Sequence, residues 1–294
     1  MGAAFSLGCA FFWAFAVILF KKAGESFSPI ALNIYKSAVA MVLVGLTMLV
    51  LGTPFFPDVA PRVWWILALS GLLGITLADI FYFSALNHLG AGMVAVVECL
   101  YLPCVLGFSY ILLGERMGVL GIMGGGLVLC AILVGAVPLT DLKLGTIPKS
   151  SQIWGICAGL LAMMFMALGI VIAKDVLDQA DVFWATFIRV TAGVIGLVPI
   201  VLCHPERMRI AGELKFSKAW VNAFPATVSG NYIALLLWVA GMKYTTVSRA
   251  GVLNQMSVIF IFILATVWLK EKMTAQRLAA IVLAVAGAYL VIFN

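Results

Sequence analysis

Four ionisable side chains lie deep inside apolar runs of this 294-residue chain: Lys36, Asp79, Glu98 and Arg189, each about seven or eight residues from the nearest end of its run. A charge at the centre of a bilayer costs roughly 2.5–3.5 kcal/mol on insertion scales, so each needs a partner, water or a function. The two cations have long stems that reach an interface from that depth; the two carboxylates do not. At helical spacing Asp79 shares a face with Tyr82, and Glu98 shares one with Tyr101. Carboxylates beside aromatic rings suit an amine or other organic cation, through ion pairing and cation–π attraction. The competing reading is that both carboxylates neutralise Lys36 and Arg189 between packed helices. A carboxylate that alternates between proton and substrate is a third role, and it makes the proton a candidate coupling ion.

The elements that must hold these groups are set by composition. Apolar residues make up 64% of the chain and charged residues 10%, where soluble domains run at about half and a quarter. The apolar stretches are continuous, as in "MVLVGLTMLVLG", which excludes the alternating strands of a membrane barrel. Windows near 3–20, 29–51, 63–86, 91–113, 118–137, 153–173, 182–203, 220–242, 246–269 and 274–293 each approach the roughly 20 residues that span a bilayer. The expected fold is therefore an all-α, multi-pass integral membrane protein of the cell (inner) membrane with ten transmembrane helices. Six cysteines fall in or beside apolar runs without a CxxC pair, and both histidines lie at connections, so no metal or cofactor is expected. The net charge of +6 reads as a membrane-orientation bias and not as a nucleic-acid surface.

The chain repeats itself. "GERM" at 114–117 and "KEKM" at 270–273 stand 156 residues apart, and the same offset aligns Gly74 with Gly230 and Tyr82 with Trp238. Nearer the start an offset of 153 aligns Lys21 with Lys174 and Lys36 with Arg189. Residues 1–140 and 141–294 thus read as two five-helix repeats forming one unit. Five is odd, so the second copy enters the membrane from the opposite side, and the repeats are inverted. Such repeats admit two related packings around a shared site, which is the signature of a secondary transporter working by alternating access. Lys36 and Arg189 match each other and read as structural or charge-balancing. Asp79 maps onto Leu235 and Glu98 onto Asn254, so neither carboxylate is duplicated. A scaffold is symmetric and a solute is not, which places specificity on the unmatched groups.

The five-plus-five arrangement, the "GERM" and "KEKM" turns, the basic residue early in the second and seventh windows and the "FYFSALNHLGAG" junction resemble the EamA family of the drug/metabolite transporter superfamily. The resemblance spans essentially the whole chain. It implies a ten-helix fold that moves small organic solutes, often outward, through a cavity lined by the first, third, fourth, sixth, eighth and ninth helices. It also implies cytoplasmic termini. Lys and Arg number ten in the odd-numbered connections against five in the even ones, which by the positive-inside rule places the termini outside. The two indications conflict. Small exporters of the superfamily carry a carboxylate in their first helix, and "AFFWAFAVILF" has none, so proton coupling here would fall to Asp79 or Glu98.

Asn231, Asn254 and Gln255 are further polar groups at depth, with Trp13 and Trp238 as aromatic walls. The expected substrate-binding set is then Glu98, Asp79, Tyr82, Tyr101, Trp13, Asn254, Gln255, Trp238 and Asn231. The expected substrate is a small amine, amino acid or similar amphipathic solute, cationic or zwitterionic, moved by export or exchange. Other expected partners are membrane lipids and, as monomer or homodimer, at most a second copy of the chain. No Ser/His or HExxH pattern supports catalysis, so the chain is not read as an enzyme. The alternatives are a passive channel and a membrane-embedded enzyme using Asp79 and Glu98.

Overall fold

A computed structural model describes the chain apart from residues 24–26, 83, 86–87, 89–96, 98–99, 137–148, 216–219, 269–274 and 294. Among the described residues all regular structure is helical. In the first half these are α1 (Gly2–Ala23), α2 (Pro29–Leu51), α3 (Pro61–Gly71), α4 (Tyr101–Leu113) and α5 (Val119–Ala136). In the second half they are α6 (Lys149–Leu177), α7 (Val182–Leu202), α8 (Arg207–Glu213), α9 (Trp220–Thr227), α10 (Leu235–Tyr244), α11 (Val247–Asn254), α12 (Ser257–Trp268) and α13 (Ala275–Ile292). Six helical stretches are long and apolar enough to cross a membrane: Gly2–Phe20, Ile30–Leu51, Pro61–Tyr82, Ile153–Leu177, Val182–Leu202 and Trp220–Tyr244. The other four apolar windows carry shorter apolar helices. Val42, Leu46 and Val50 of α2 and Val282 and Val285 of α13 face outward, a surface suited to lipid and not to water. The protein is a multi-pass integral membrane protein.

Local chemistry sets the helix ends. Pro29 opens α2 after Ser28, whose Oγ accepts from the Ala31 N–H at 3.4 Å, and Gly52 closes it in the left-handed region at φ 70°. Asp181 starts α7, its Oδ1 accepting from the N–H groups of Phe183 (2.9 Å) and Trp184 (3.2 Å). Thr246 starts α11 by accepting from the Arg249 N–H at 3.3 Å.

Two kinds of irregularity interrupt the spans, and both recur at the sequence repeat. A π-helical segment, Leu72–Leu77, follows α3, and another, Val228–Ala234, follows α9. Their first residues are 156 apart, and such widened turns frequently mark functional positions. The ninth window, expected as one helix over 246–269, is divided instead. Between α11 and α12 the chain makes tight turns at Gln255 and Met256, whose N–H groups donate to Val252 O (3.2 Å) and Leu253 O (3.1 Å). Leu100, 156 residues before Met256, turns the same way, donating to Val97 O at 2.9 Å. Pro103 then falls in the first turn of α4, where a missing N–H leaves no helical bond unmade.

Packing joins the two halves throughout. Helix α1 lies against α9, α10, α11 and α12, while α6 lies against α3 and α4. Helix α2 packs on α7, α4 on α11, and α5 on α13. Small residues allow the closest crossings. A Cβ on Gly124 of α5 would stand 2.5 Å from Gly287 O of α13, and one on Gly287 would stand 2.5 Å from Gly124 O. Only backbones without side chains approach so closely. Gly71 similarly lets α3 press against the backbone of Arg189 on α7.

Candidate functional site

Helix α2 and the helical residues that follow the first π segment bring Lys36 to Asp79. Lys36 Nζ lies 3.4 Å from Asp79 Oδ2, with side chains only 14% and 13% exposed. Asn33, about one turn before Lys36, also bonds Asp79 through its side chain, and its Oδ1 accepts from Ser37 Oγ at 3.4 Å. Of the three readings open for Asp79, the geometry found is the pairing with Lys36. Glu98 lies outside the described residues, as do the "KEKM" turn and most of the junction after Tyr82.

Helix α7 places Arg189 differently. Its side chain is buried, and its Nε and Nη1 have no hydrogen-bond partner. The guanidinium sits over the indole of Trp238 on α10, its central carbon 5.0 Å from the ring centroid. Gly74 of the first π segment comes close on another side, since a Cβ there would be 3.7 Å from Arg189 Nη2. Tyr101, at the start of α4, is buried within electrostatic range of the guanidinium and beside Trp238. The Trp238 side chain approaches its hydroxyl as a hydrogen-bond donor, and among the described residues the hydroxyl proton has no acceptor. Elements from both halves thus converge on one cation, and the carboxylate that Lys36 has is absent around it among the described residues.

The remaining predicted residues lie along the same interrupted spans. Asn231 belongs to the second π segment and Asn254 ends α11, each with a buried Oδ1 lacking a partner. Gln255 forms the break after Asn254. Trp13 of α1 is 37% exposed and lies near Gly230, whose added Cβ would be 3.5 Å from the Trp13 ring. Tyr82 is half-buried against the core that holds Trp238. Among the described residues no group of three or more His, Cys, Asp or Glu is arranged to hold a metal ion.

Sequence reasoning missed several polar contacts that fix this frame. Thr47 of α2 and Tyr232 of the second π segment share a 2.6 Å hydrogen bond, and Ser229 Oγ donates to Phe12 O at 2.7 Å. Lys174 of α6 caps the end of α10, donating to Met242 O (2.7 Å), Lys243 O (2.9 Å) and Thr245 O (3.1 Å). Lys243 returns the contact to Ala180 O at 2.6 Å. The "GERM" turn has a function beyond marking a connection. Glu115 accepts from the N–H groups of Val247 (2.9 Å) and Ser248 (3.0 Å) and from Ser248 Oγ (2.8 Å), at the N-terminus of α11. The signal was present in the acidic residue of this turn, but its target lies in the other half of the chain.

An all-helical, multi-pass membrane fold with polar groups gathered at interrupted helices is the class to which these features belong. The profile of the EamA-like transporter family matches residues 1–136 and again 153–293. The chain belongs to that family, within the drug/metabolite transporter superfamily. It is 23% identical over 284 residues to an uncharacterized transporter of Archaeoglobus fulgidus, covering 96% of this chain and 95% of that one. A protein of known crystal structure superposes with a TM-score of 0.81 at 18% identity, covering 99% of this chain and 98% of that one, which establishes a shared fold. Family and relative point to a membrane transporter and not to an enzyme.

Proposed function

We propose that this chain is a secondary active transporter of small organic metabolites or drugs, exporting or exchanging them across the cytoplasmic membrane by alternating access. In this reading the fold is ten transmembrane helices arranged as two inverted five-helix repeats. The observation that carries it is the recurrence, at one 156-residue offset, of the π segments at Leu72 and Val228 and of the three-residue turn bonds made by the Leu100 and Met256 N–H groups. Broken helices at equivalent places in two repeats are where such carriers bind solute, because freed backbone groups and side chains there face a protein-lined space. Tyr101, Trp238, Asn231, Asn254 and Gln255 stand at or next to these interruptions and form the proposed solute path. Asp79 joins it as the partner of Lys36, and a proton exchanged at this pair is the proposed coupling ion.

Counterflow in proteoliposomes tests the reading. Vesicles preloaded with unlabelled solute should transiently accumulate the labelled solute without an imposed gradient of ions. A channel equilibrates label without overshoot. Absence of overshoot across a panel of amines, amino acids, organic acids and neutral aromatic solutes would overturn carrier function.

A further inference from the structure

Lys36 and Arg189 occupy equivalent places in the repeat, yet only one of them is balanced. Lys36 has Asp79 at 3.4 Å. In the second half the position of Asp79 is taken by Leu235, and the position of Tyr82 by Trp238. Arg189 keeps the cation–π contact, at 5.0 Å, but among the described residues it has no carboxylate, and its Nε and Nη1 are buried without acceptors there. A buried guanidinium without an acceptor is costly, and a bidentate carboxylate is the group whose geometry matches its donors. The Tyr101 hydroxyl beside it is approached by the Trp238 indole N–H, a donor, so its own proton has no acceptor among the described residues.

We propose that Arg189 and Tyr101 bind the carboxylate of the transported solute, with the Trp238 ring as a platform beneath the guanidinium. One cation and one hydroxyl suit a monoanion. A dianion such as a phosphate monoester would need a second cation, and Lys36 is already committed to Asp79. The solute class is therefore a small monocarboxylate, and this assignment rests on the transporter reading above.

The test uses the full chain reconstituted in phosphatidylcholine vesicles, so that no anionic lipid competes. The probes are matched pairs of acid and amide: acetate and acetamide, phenylacetate and phenylacetamide, indoleacetate and indoleacetamide, with phenethylamine as a cationic control. At least one acid should show counterflow and bind about ten-fold or more tightly than its amide, as expected for losing charge-assisted hydrogen bonds. Tyr101→Phe should weaken that acid up to about ten-fold and leave its amide unchanged. Arg189→Gln should abolish the preference for acid over amide, and Arg189→Lys should restore part of it. If Arg189→Gln does not elute as a folded protein, the acid–amide comparison and Tyr101→Phe decide alone. Exchange of amides or of phenethylamine without preference for any acid would overturn the carboxylate site while leaving the carrier intact. Absence of exchange for every probe would overturn both.

Discussion

Glu115→Ala is the substitution whose effect follows most directly from the structure. The carboxylate terminates the turn after α4 and reaches into the other half, accepting from the Val247 and Ser248 N–H groups and from Ser248 Oγ at 2.8 to 3.0 Å. These are first-turn donors of α11, which have no partner within their own helix. Losing a helix cap costs about 0.5–2 kcal/mol, and losing a negative charge at a helix N-terminus costs about 0.3–1 kcal/mol more. Thr246 still serves the Arg249 N–H at 3.3 Å, so the helix start is weakened and not abolished. The expected loss is about 1–3 kcal/mol. For a chain of this size that corresponds to roughly 2–5 °C in melting temperature. Glu115→Gln keeps one carbonyl acceptor but turns an amide NH2 toward backbone donors, so it should fall between wild type and alanine. Thermal unfolding in detergent, followed by tryptophan fluorescence, reads this order. An alanine variant at position 115 melting within about 1 °C of wild type would refute the capping argument.

Three further outcomes follow from contacts already described. Asp79→Asn leaves the Lys36 ammonium buried without its counter-charge and should destabilise by about 3–5 kcal/mol; the double variant Lys36→Met with Asp79→Leu should melt above the single one, and a double as unstable as the single would refute pairing. Gly124→Ala places a methyl where Gly287 O stands 2.5 Å away, so α5 and α13 must separate, at about 1–3 kcal/mol; an unchanged melting temperature would show that the contact yields freely. Outside the membrane, burial pushes the Glu213 carboxyl up, but hydrogen bonds from Ser28 and the Arg209 guanidinium outweigh it and hold the group below its usual 4.5. A depressed carboxylate stabilises the fold above its unfolded pKa and loses that contribution as pH falls through the folded value. Glu213→Gln should therefore lower stability at neutral pH and converge with wild type in acid, and parallel melting-temperature curves would count against it.

The membrane class was legible because lipid imposes run length: each of the ten apolar windows coincides with helix among the described residues. The repeat offset was legible because its landmarks are charged and glycine residues set in apolar sequence. The breaks were not. Nothing in "GVLNQMSVIF" resembles a proline or glycine turn at Gln255, and a π segment such as "LLGITL" reads as ordinary helix. The Glu115 cap was hidden because its partners lie 132 and 133 residues away. Arg189 was read as scaffold because it matches Lys36. Its contact with Trp238 joins two separate helices and leaves no mark in either run.

The difference between the two cations also bears on how solute would drive the cycle. The Lys36–Asp79 pair is formed without solute, so filling the position beside Arg189 leaves its charge balance unchanged. Among the described residues Arg189 is balanced by Trp238 alone unless an anion arrives, and a desolvated cation–π contact offsets about 2 kcal/mol of burial. An arrangement that closes around Arg189 is therefore disfavoured without solute and favoured with it. A ligand shifts such an equilibrium by no more than its differential affinity for the two states. Two charge-assisted hydrogen bonds at about 1.5–3 kcal/mol each suffice for a shift of ten-fold or more. Loaded carriers should then reorient faster than unloaded ones. In vesicles, exchange of a carboxylate solute against itself should exceed its net efflux into solute-free buffer by about ten-fold or more. Arg189→Gln removes the buried charge and should bring the two rates together. Equal rates in the wild type would show that reorientation does not depend on filling this position.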